Sequence, residues 1–172
     1  MPVLVEGSPR QWFAAMALAC FAAVAAALVA QHGFDMRPCP WCILQRVIFV
    51  VIGVLALNGA LAQGARLRRG LAAAVLLLVV AVIAAALWQH FVAAQSSSCA
   101  LTLADRIVSG LRLDTALPGI FGVTASCADA AVNVFGVPFE FWSIALAALL
   151  GAGAARILVR GRRRDGRSPG LR

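Results

Sequence analysis

The cysteines are the residues of this chain whose spacing most directly suggests chemistry. Two of the five form a Cys-x-x-Cys motif, Cys39-Pro40-Trp41-Cys42, at the point where an apolar segment begins. The thiolate is the reactive form of cysteine, and a helix N-terminus carries partial positive charge that would stabilise it. Arg46 stands one helical turn after Cys42 and would stabilise a Cys42 thiolate further. This placement predicts a redox-active pair that serves as an exit for electrons.

The other three cysteines lie in two different settings. Cys20 stands among alanine, leucine and phenylalanine in the middle of an apolar segment, and we interpret it as a structural, packed side chain. Cys99 and Cys127 lie in the longest polar connection of the chain. Four cysteines permit three disulfide connectivities. We favour Cys39–Cys42 with Cys99–Cys127 at rest, and a transient bond between the two pairs if they act as a relay.

Two alternatives to redox chemistry apply to the same cysteines. A structural zinc site is disfavoured, because Cys99 and Cys127 are widely spaced and no second Cys-x-x-Cys is present, so no metal is expected. The second alternative is a non-catalytic membrane protein with structural disulfides, in which a Cys99–Cys127 bond would add roughly 3–4 kcal/mol of stability. This structural-disulfide alternative stays open. A Cys39–Cys42 disulfide fits it less well, because it would close only a short loop and restrict the unfolded chain little.

The elements that must position these cysteines are membrane helices. Hydrophobic residues make up 62% of the chain, well above the roughly 45–50% of soluble proteins. Four apolar segments, 12–30, 43–61, 71–88 and 139–159, are each close to the ~20 residues that span a bilayer. Hydrocarbon offers the backbone no hydrogen-bond partners, so the segments must be helical. The predicted fold is a single all-α integral membrane domain over residues 1–172, a bundle of four transmembrane helices.

The charged residues near the ends of these segments, Arg46, Glu140 and Arg156, are expected to reach the membrane interface with their long side chains. The first segment is interpreted as an uncleaved anchor, since its apolar stretch is longer than the core of a typical signal peptide.

Arginine placement predicts the orientation of the bundle. All 15 basic residues are arginines, they give a formal net charge of +8, and most stand in two clusters at the ends of apolar segments. Such clusters indicate membrane topology and not a nucleic-acid surface. The clusters are Arg66, Arg68 and Arg69, and Arg160, Arg162, Arg163, Arg164, Arg167 and Arg172. Arginine-rich connections stay in the cytoplasm, so we expect both termini and the basic tail, 160–172, on that side. Connections 31–42 and 89–138, which carry four of the cysteines, would face the outer, oxidising compartment.

The connection 89–138 is the only long one and is where function is expected. Apolar residues recur in it at helical spacing, with polar residues opposite; they are Leu103, Ala104, Ile107, Val108 and Leu111. This pattern predicts a short amphipathic helix that lies either on the membrane surface or against the loop itself. The tail from Gly161 onwards is predicted to be disordered.

The sequence resembles the DsbB family along nearly its whole length. The resemblance is carried by Pro38-Cys39-Pro40-Trp41-Cys42-Ile43-Leu44-Gln45-Arg46 at the second segment, His90 at the end of the third, Cys99 and Cys127 flanking an insert, and Phe135-Gly136-Val137-Pro138-Phe139-Glu140-Phe141-Trp142 before the fourth. Its specificity comes from combining four spans, two cysteine pairs on one side and an arginine four positions after Cys-x-x-Cys.

The resemblance implies a direction of electron flow. A reduced periplasmic partner similar to DsbA would attack Cys99 and release Cys127, and Cys127 would then attack Cys39. Cys42 would be freed as the thiolate that reduces a membrane quinone, ubiquinone or menaquinone. The chain would thus be a bacterial inner-membrane thiol oxidoreductase that makes disulfides for the periplasm. A paralogue dedicated to one substrate would share this mechanism and differ in its partner.

The resemblance also implies a quinone site. Arg46 would hold a quinone oxygen, and His90, level with Arg46 at the outer end of the third helix, would line the site. Gln45 stands where the best-known family member has an acidic residue, and Pro40-Trp41 replaces its aliphatic pair; both differences bear on the redox potential and leave the reaction unchanged. Trp41 and Trp88 could line the quinone site or belong to the interfacial aromatic belt, and we favour the belt.

Overall fold

The structure is a computed structural model that describes residues 7–95 and 102–165, with side chains to 161. Cys99 and the tail from 166 to 172 therefore lie outside the described residues. The elements, in chain order, are α1 (Pro9–Gly33), α2 (Pro40–Leu61), α3 (Ala65–Phe91), a 3-10 turn (Ala93–Gln95), α4 (Leu103–Gly110), α5 (Leu113–Ala116), α6 (Pro118–Phe121), a hairpin of β1 (Asn133–Val134) and β2 (Val137–Pro138), and α7 (Phe139–Asp165).

Four of these helices, α1, α2, α3 and α7, are long and apolar enough to cross a membrane, which confirms the predicted all-α membrane fold. They extend beyond the apolar runs. The first helix begins at Pro9, where Ser8 caps it and exchanges hydrogen bonds with Gln11. The last continues to Asp165, so disorder predicted for residues 161–165 was wrong, because arginine is a good helix former and an apolar run does not mark where a helix stops.

The four long helices form a bundle in which α1 packs on α2, α2 on α3 and α3 on α7, while α1 and α7 meet over a smaller area. The buried face of α1 includes Phe13 and Cys20, both fully buried, so Cys20 is a packed core residue as predicted. A Cβ atom on Gly59 of α2 would lie 2.6 Å from the Phe13 ring. The glycine therefore allows α1 and α2 to approach closely.

One end of the bundle, called the arginine end below, contains both termini of the described chain and the α2–α3 connection. Arginine side chains join the elements there. Arg10 Nε donates to the Ala60 carbonyl at 3.0 Å, and Arg69 Nη2 donates to the Gly161 carbonyl at 2.6 Å. These guanidinium groups bind carbonyls in the last turns of helices, where the partial charge is negative. The opposite end, called the cysteine end, carries the α1–α2 connection and the segment between α3 and α7.

The short amphipathic helix is present as α4, and it packs on α2. Ala104 and Val108 are buried in this contact, whereas Leu103 and Leu111 are more than half exposed. A capping box between Thr102 and Asp105 begins the helix. One apolar edge of α4 therefore packs on α2 and on its own loop, including Phe121 and Ala130, as one of the two predicted placements requires. Another apolar edge is uncovered, and contact of that edge with the membrane surface stays a prediction.

Candidate active site

The Cys-x-x-Cys motif begins α2. Cys39 is the N-cap residue, and its sulfur accepts a hydrogen bond from the Cys42 amide at 3.4 Å. Pro40 occupies the first helical position, where its missing N–H costs nothing. The sulfurs of Cys39 and Cys42 lie 3.0 Å apart, within hydrogen-bond distance of each other. The Cys39–Cys42 resting disulfide stays a prediction.

Cys127 is held beside this pair by its own loop. The amides of Thr124 and Ala125 donate to the Pro38 carbonyl at 3.1 and 3.3 Å, which ties the loop to the residue preceding Cys39. A hydrogen bond then joins the thiols of Cys39 and Cys127. Three sulfurs that are distant in sequence therefore form one cluster, with Cys39 in the middle.

Charge is unevenly distributed in the cluster. The pKa of Cys39 is raised, because its single S–H is shared with the sulfurs of Cys127 and Cys42 and because it is buried. The pKa of Cys127 is lowered, chiefly by the hydrogen bond from Cys39 and also by the Trp41 amide, against the opposing effect of burial. Cys127 is therefore the sulfur that loses its proton more readily and can act as the nucleophile, with Cys39 within its reach.

Two buried glutamines lie next to Cys42. The sequence indicated only that Gln45 bears on the redox potential, and it did not single out Gln89. The Gln89 amide nitrogen donates to the Cys42 sulfur at 3.3 Å, and its amide oxygen accepts from Gln45 at 2.8 Å. Both side chains are 4% exposed. Polar side chains inside apolar spans are costly and commonly functional, so their occurrence in α2 and α3 is the signal that could have revealed them.

Beside Cys42, a cavity of about 720 Å³ opens between α1, α2 and α7. The α1 side of it is apolar and built largely of small residues, among them Ala23, Ala27 and Ala30. Its polar groups include Cys42, Gln45, Arg46, Gln89 and Glu140. The reactive pair therefore borders a largely apolar chamber whose polar groups converge on one wall, the arrangement typical of a site for an apolar molecule with a few polar atoms.

Arg46 lies in the wall of this cavity and is 7% exposed, so the expectation that it reaches the interface was wrong. Its Nη1 donates to Gln31 Oε1 at 2.8 Å and to the Ile120 carbonyl. Gln31 and Ile120 replace the hydrogen-bond acceptors that the guanidinium would find at the membrane interface, so the side chain stays inside the bundle. Its buried Nε has no hydrogen-bond partner among the described residues. The guanidinium therefore has unused hydrogen-bonding capacity next to the cavity.

His90 does not line the cavity; it stands behind Glu140, which does. His90 Nδ1 and Glu140 Oε1 are 2.6 Å apart. The Glu140 side chain is 5% exposed, so it too is buried where an interfacial position was expected. His90 therefore meets the cavity only through Glu140, and its predicted part in a quinone site stays a prediction.

The two tryptophans of interest have different surroundings. Trp41 is 8% exposed and packs in the apolar cluster that contains Cys39 and Cys127, while Trp88 is 52% exposed. Their ring centroids are 6.4 Å apart. Neither lines the cavity. Trp88 has the exposure of an interfacial belt residue, whereas Trp41 is part of the packing beneath the cysteines.

Known proteins resemble this chain over almost all of it. The family model described as "Disulfide bond formation protein DsbB" matches residues 9–157. Disulfide bond formation protein B 1 of Pseudomonas aeruginosa is 32% identical over 158 residues, which cover 89% of this chain and 97% of the relative. Disulfide bond formation protein B of Burkholderia pseudomallei is 33% identical over 156 residues, covering 90% and 92%. The protein of the same name from Dechloromonas aromatica is 30% identical over 155 residues, covering 88% and 93%. No solved structure matches the chain.

These matches agree with the thiol cluster at the end of a four-helix membrane bundle, and the predicted resemblance is confirmed. A multi-pass inner-membrane protein with disulfide oxidoreductase chemistry follows from them. The chain belongs to the DsbB family of disulfide bond formation proteins.

Proposed function

We propose that this protein reoxidises a DsbA-like periplasmic dithiol protein and passes the electrons to a membrane quinone, ubiquinone or menaquinone. The observation that carries the proposal is the position of Cys42. Its sulfur lies 3.0 Å from that of Cys39, and the residue also lines the apolar cavity that contains Arg46. Cys42 therefore connects a thiol relay on one side with a site for an apolar acceptor on the other.

The relay runs through four cysteines, with Cys99 included on the family resemblance alone. A thiolate of the partner attacks Cys99 of the Cys99–Cys127 disulfide, and Cys127 leaves. Cys127 then attacks Cys39 of the Cys39–Cys42 disulfide, and Cys42 leaves as the thiolate. Each exchange breaks one S–S bond and forms another. The second thiol of the partner then displaces Cys99 from the mixed disulfide, and Cys99 attacks Cys127 and releases Cys39. The Cys99–Cys127 disulfide is thereby re-formed, and the two electrons of the partner's dithiol reach the Cys39–Cys42 pair.

The cavity suits a quinone in shape and in polarity. Its α1 side and Phe49 offer apolar contact to a ring and tail, and its 720 Å³ volume falls in the range of small-molecule sites. The guanidinium of Arg46 in the cavity wall would donate to a quinone oxygen and stabilise the negative charge that develops as Cys42 donates electrons. Two electrons and two protons convert the quinone to the quinol, and Cys39 and Cys42 return to the disulfide.

The orientation follows from the same chemistry. The cysteine end would face the periplasm, where disulfides persist, and the arginine end would face the cytoplasm, as arginine-rich connections do. Both termini would then be cytoplasmic.

The test is anaerobic mixing of the purified protein with a reduced DsbA-like protein and a soluble ubiquinone, following quinone absorbance. Quinol formation should match carrier oxidation one to one. Cys42→Ser should abolish quinol formation, whereas Cys20→Ser, the matched change at a packed cysteine, should leave it intact. Failure of the unaltered protein to oxidise the carrier would overturn the proposal.

An Arg46→Ala variant tests the quinone site separately. It should raise the KM for quinone, because the guanidinium contact is lost, and leave thiol exchange with the carrier unchanged. Normal turnover at low quinone concentration would refute the role of Arg46 while sparing the relay.

A further inference from the structure

Glu140 is a carboxyl group placed in the cavity wall by the first turn of α7. The preceding hairpin fixes this turn, since the Phe139 amide donates to the Val132 carbonyl at 3.1 Å. Glu140 is the only acidic residue among the described residues that line the cavity. Its burial means that it exchanges protons with solution only through a neighbouring group.

That neighbour is His90. Its Nδ1 lies 2.6 Å from Glu140 Oε1, and its side chain is 32% exposed at the cysteine end, compared with 5% for Glu140. The imidazole ring is flanked edge-on by Phe91 and Phe141, each with its ring centroid 4.9 Å away. A part-exposed imidazole at the cysteine end, a buried carboxyl and the cavity thus follow one another in a row.

The reaction proposed above needs such a row, because reducing a quinone to a quinol consumes two protons inside a largely apolar cavity. Apart from Glu140, the titratable groups in the described cavity wall are Arg37, which precedes α2, and Cys42 and Arg46 on α2. Helix α1 places no titratable group in the wall. Helix α3 places only the amide of Gln89 there, and His90 lies behind the wall. Arginine does not release its proton in proteins, and an amide has none to give. The proton of Cys42 is already lost when its thiolate donates electrons.

We propose that Glu140 delivers protons to the quinone and that His90 reloads it from the periplasmic solution. This inference rests on the proposed function. In each delivery the O–H bond of Glu140 breaks and a new O–H bond forms on the quinone, and the carboxylate then takes a proton from imidazolium Nδ1. Two deliveries accompany the two electrons from Cys39 and Cys42. The two protons lost by those thiols balance the two taken up.

The experiment is single-turnover reduction of a soluble ubiquinone by the pre-reduced protein, measured over a range of quinone concentrations. Glu140→Gln keeps the shape of the side chain and removes the transferable proton, so the rate constant at saturating quinone should fall roughly 10²-fold, with little change in the quinone concentration that gives half of that rate. Glu140→Asp, which keeps a carboxyl group, should restore much of the rate. Asp114→Asn, the same change in α5 and away from the cavity, should behave like the unaltered protein.

His90→Ala carries the test if Glu140→Gln does not fold. Its quinol formation should slow, and free imidazole in the buffer should restore it by replacing the missing proton donor, which a structural role of His90 would not predict. A Glu140→Gln protein with an unaltered single-turnover rate constant, or His90→Ala without imidazole rescue, would overturn the inference. Absence of quinone reduction by the unaltered protein would instead overturn the proposed function.

Discussion

At the scale of single residues, the shared hydrogen bonds among three sulfurs decide which cysteine is reactive. Cys39 donates to Cys127, which raises the pKa of Cys39 and lowers the pKa of Cys127. A lowered pKa means that the Cys127 thiolate persists to a lower pH than that of an ordinary thiol. The same hydrogen bond directs that thiolate toward Cys39, the sulfur it is proposed to attack.

Removing the donor should therefore make Cys127 less reactive near neutral pH. In a chain in which Cys20, Cys42 and Cys99 are replaced by serine, Cys39→Ala should raise the pKa of Cys127 and slow its alkylation by iodoacetamide. Cys39→Ser keeps a hydroxyl donor, so its alkylation profile should lie nearer to that of the parent. Alkylation rates measured across pH give the comparison. Superimposable profiles for the alanine and serine variants would contradict this account.

Gln89 should tune Cys42 in the same way, because its amide donates to the sulfur at 3.3 Å. A hydrogen bond to a charged group contributes about 1.5–3 kcal/mol, so Gln89→Leu should slow alkylation of Cys42 by about tenfold or more. The measurement uses a chain with Cys42 as its only cysteine. Gln63→Leu, a change of an exposed glutamine at the arginine end, should have no effect.

Gln89→Leu should also lower the thermal stability, since Gln45 then keeps a buried amide without its partner. The double variant Gln45→Leu/Gln89→Leu should recover much of that stability. A double variant less stable than either single one would show that the two glutamines do not depend on each other.

At the scale of helices, the close approach of α1 and α2 depends on Gly59. A methyl group there would meet the Phe13 ring at 2.6 Å, so Gly59→Ala should destabilise the protein by roughly 1–3 kcal/mol through overpacking. Gly70 on α3 has open space around it, and Gly70→Ala should stabilise that helix by up to about 1 kcal/mol. Thermal unfolding in detergent distinguishes the two. Shifts of the same sign would contradict the packing argument.

The helices could be predicted from sequence because hydrocarbon leaves a spanning segment no alternative to a helix. The rotation of each helix about its own axis could not be predicted from sequence. The spans are apolar nearly all round, so no stripe marks the buried face, and the meeting of Gln45 with Gln89 depends on that rotation. The burial of Arg46 was missed for a related reason, since its partners Gln31 and Ile120 come from distant parts of the chain.

The approach of Cys127 to Cys39 likewise depends on long-range contacts. It results from hydrogen bonds between the loop at Thr124 and Ala125 and the carbonyl of Pro38. Residue types and spacing identify Cys39, Cys42 and Cys127 as candidates, but the order of the three sulfurs is decided by backbone groups whose partners lie far away in sequence.

At the scale of the whole molecule, the thiol site and the arginine contacts lie at opposite ends of the bundle. The described sulfurs of the candidate site and the cavity lie at the cysteine end, and the arginines that bind helix carbonyls lie at the arginine end. In a membrane these ends would contact different compartments. The reaction requires that the cysteine end meet the oxidising one.

Single introduced cysteines should report this orientation. Asp35, whose side chain is 84% exposed, lies in the α1–α2 connection at the cysteine end, and Gln63 is exposed between α2 and α3 at the arginine end. With the native cysteines replaced by serine, Asp35→Cys should react with a membrane-impermeant maleimide in intact spheroplasts. Gln63→Cys should react only after the membrane is permeabilised, because arginine-rich connections such as the one between α2 and α3 are expected to stay in the cytoplasm. Labelling of Gln63→Cys in intact spheroplasts, with Asp35→Cys protected, would reverse the orientation and place the thiol cluster in the compartment where its disulfides would be reduced.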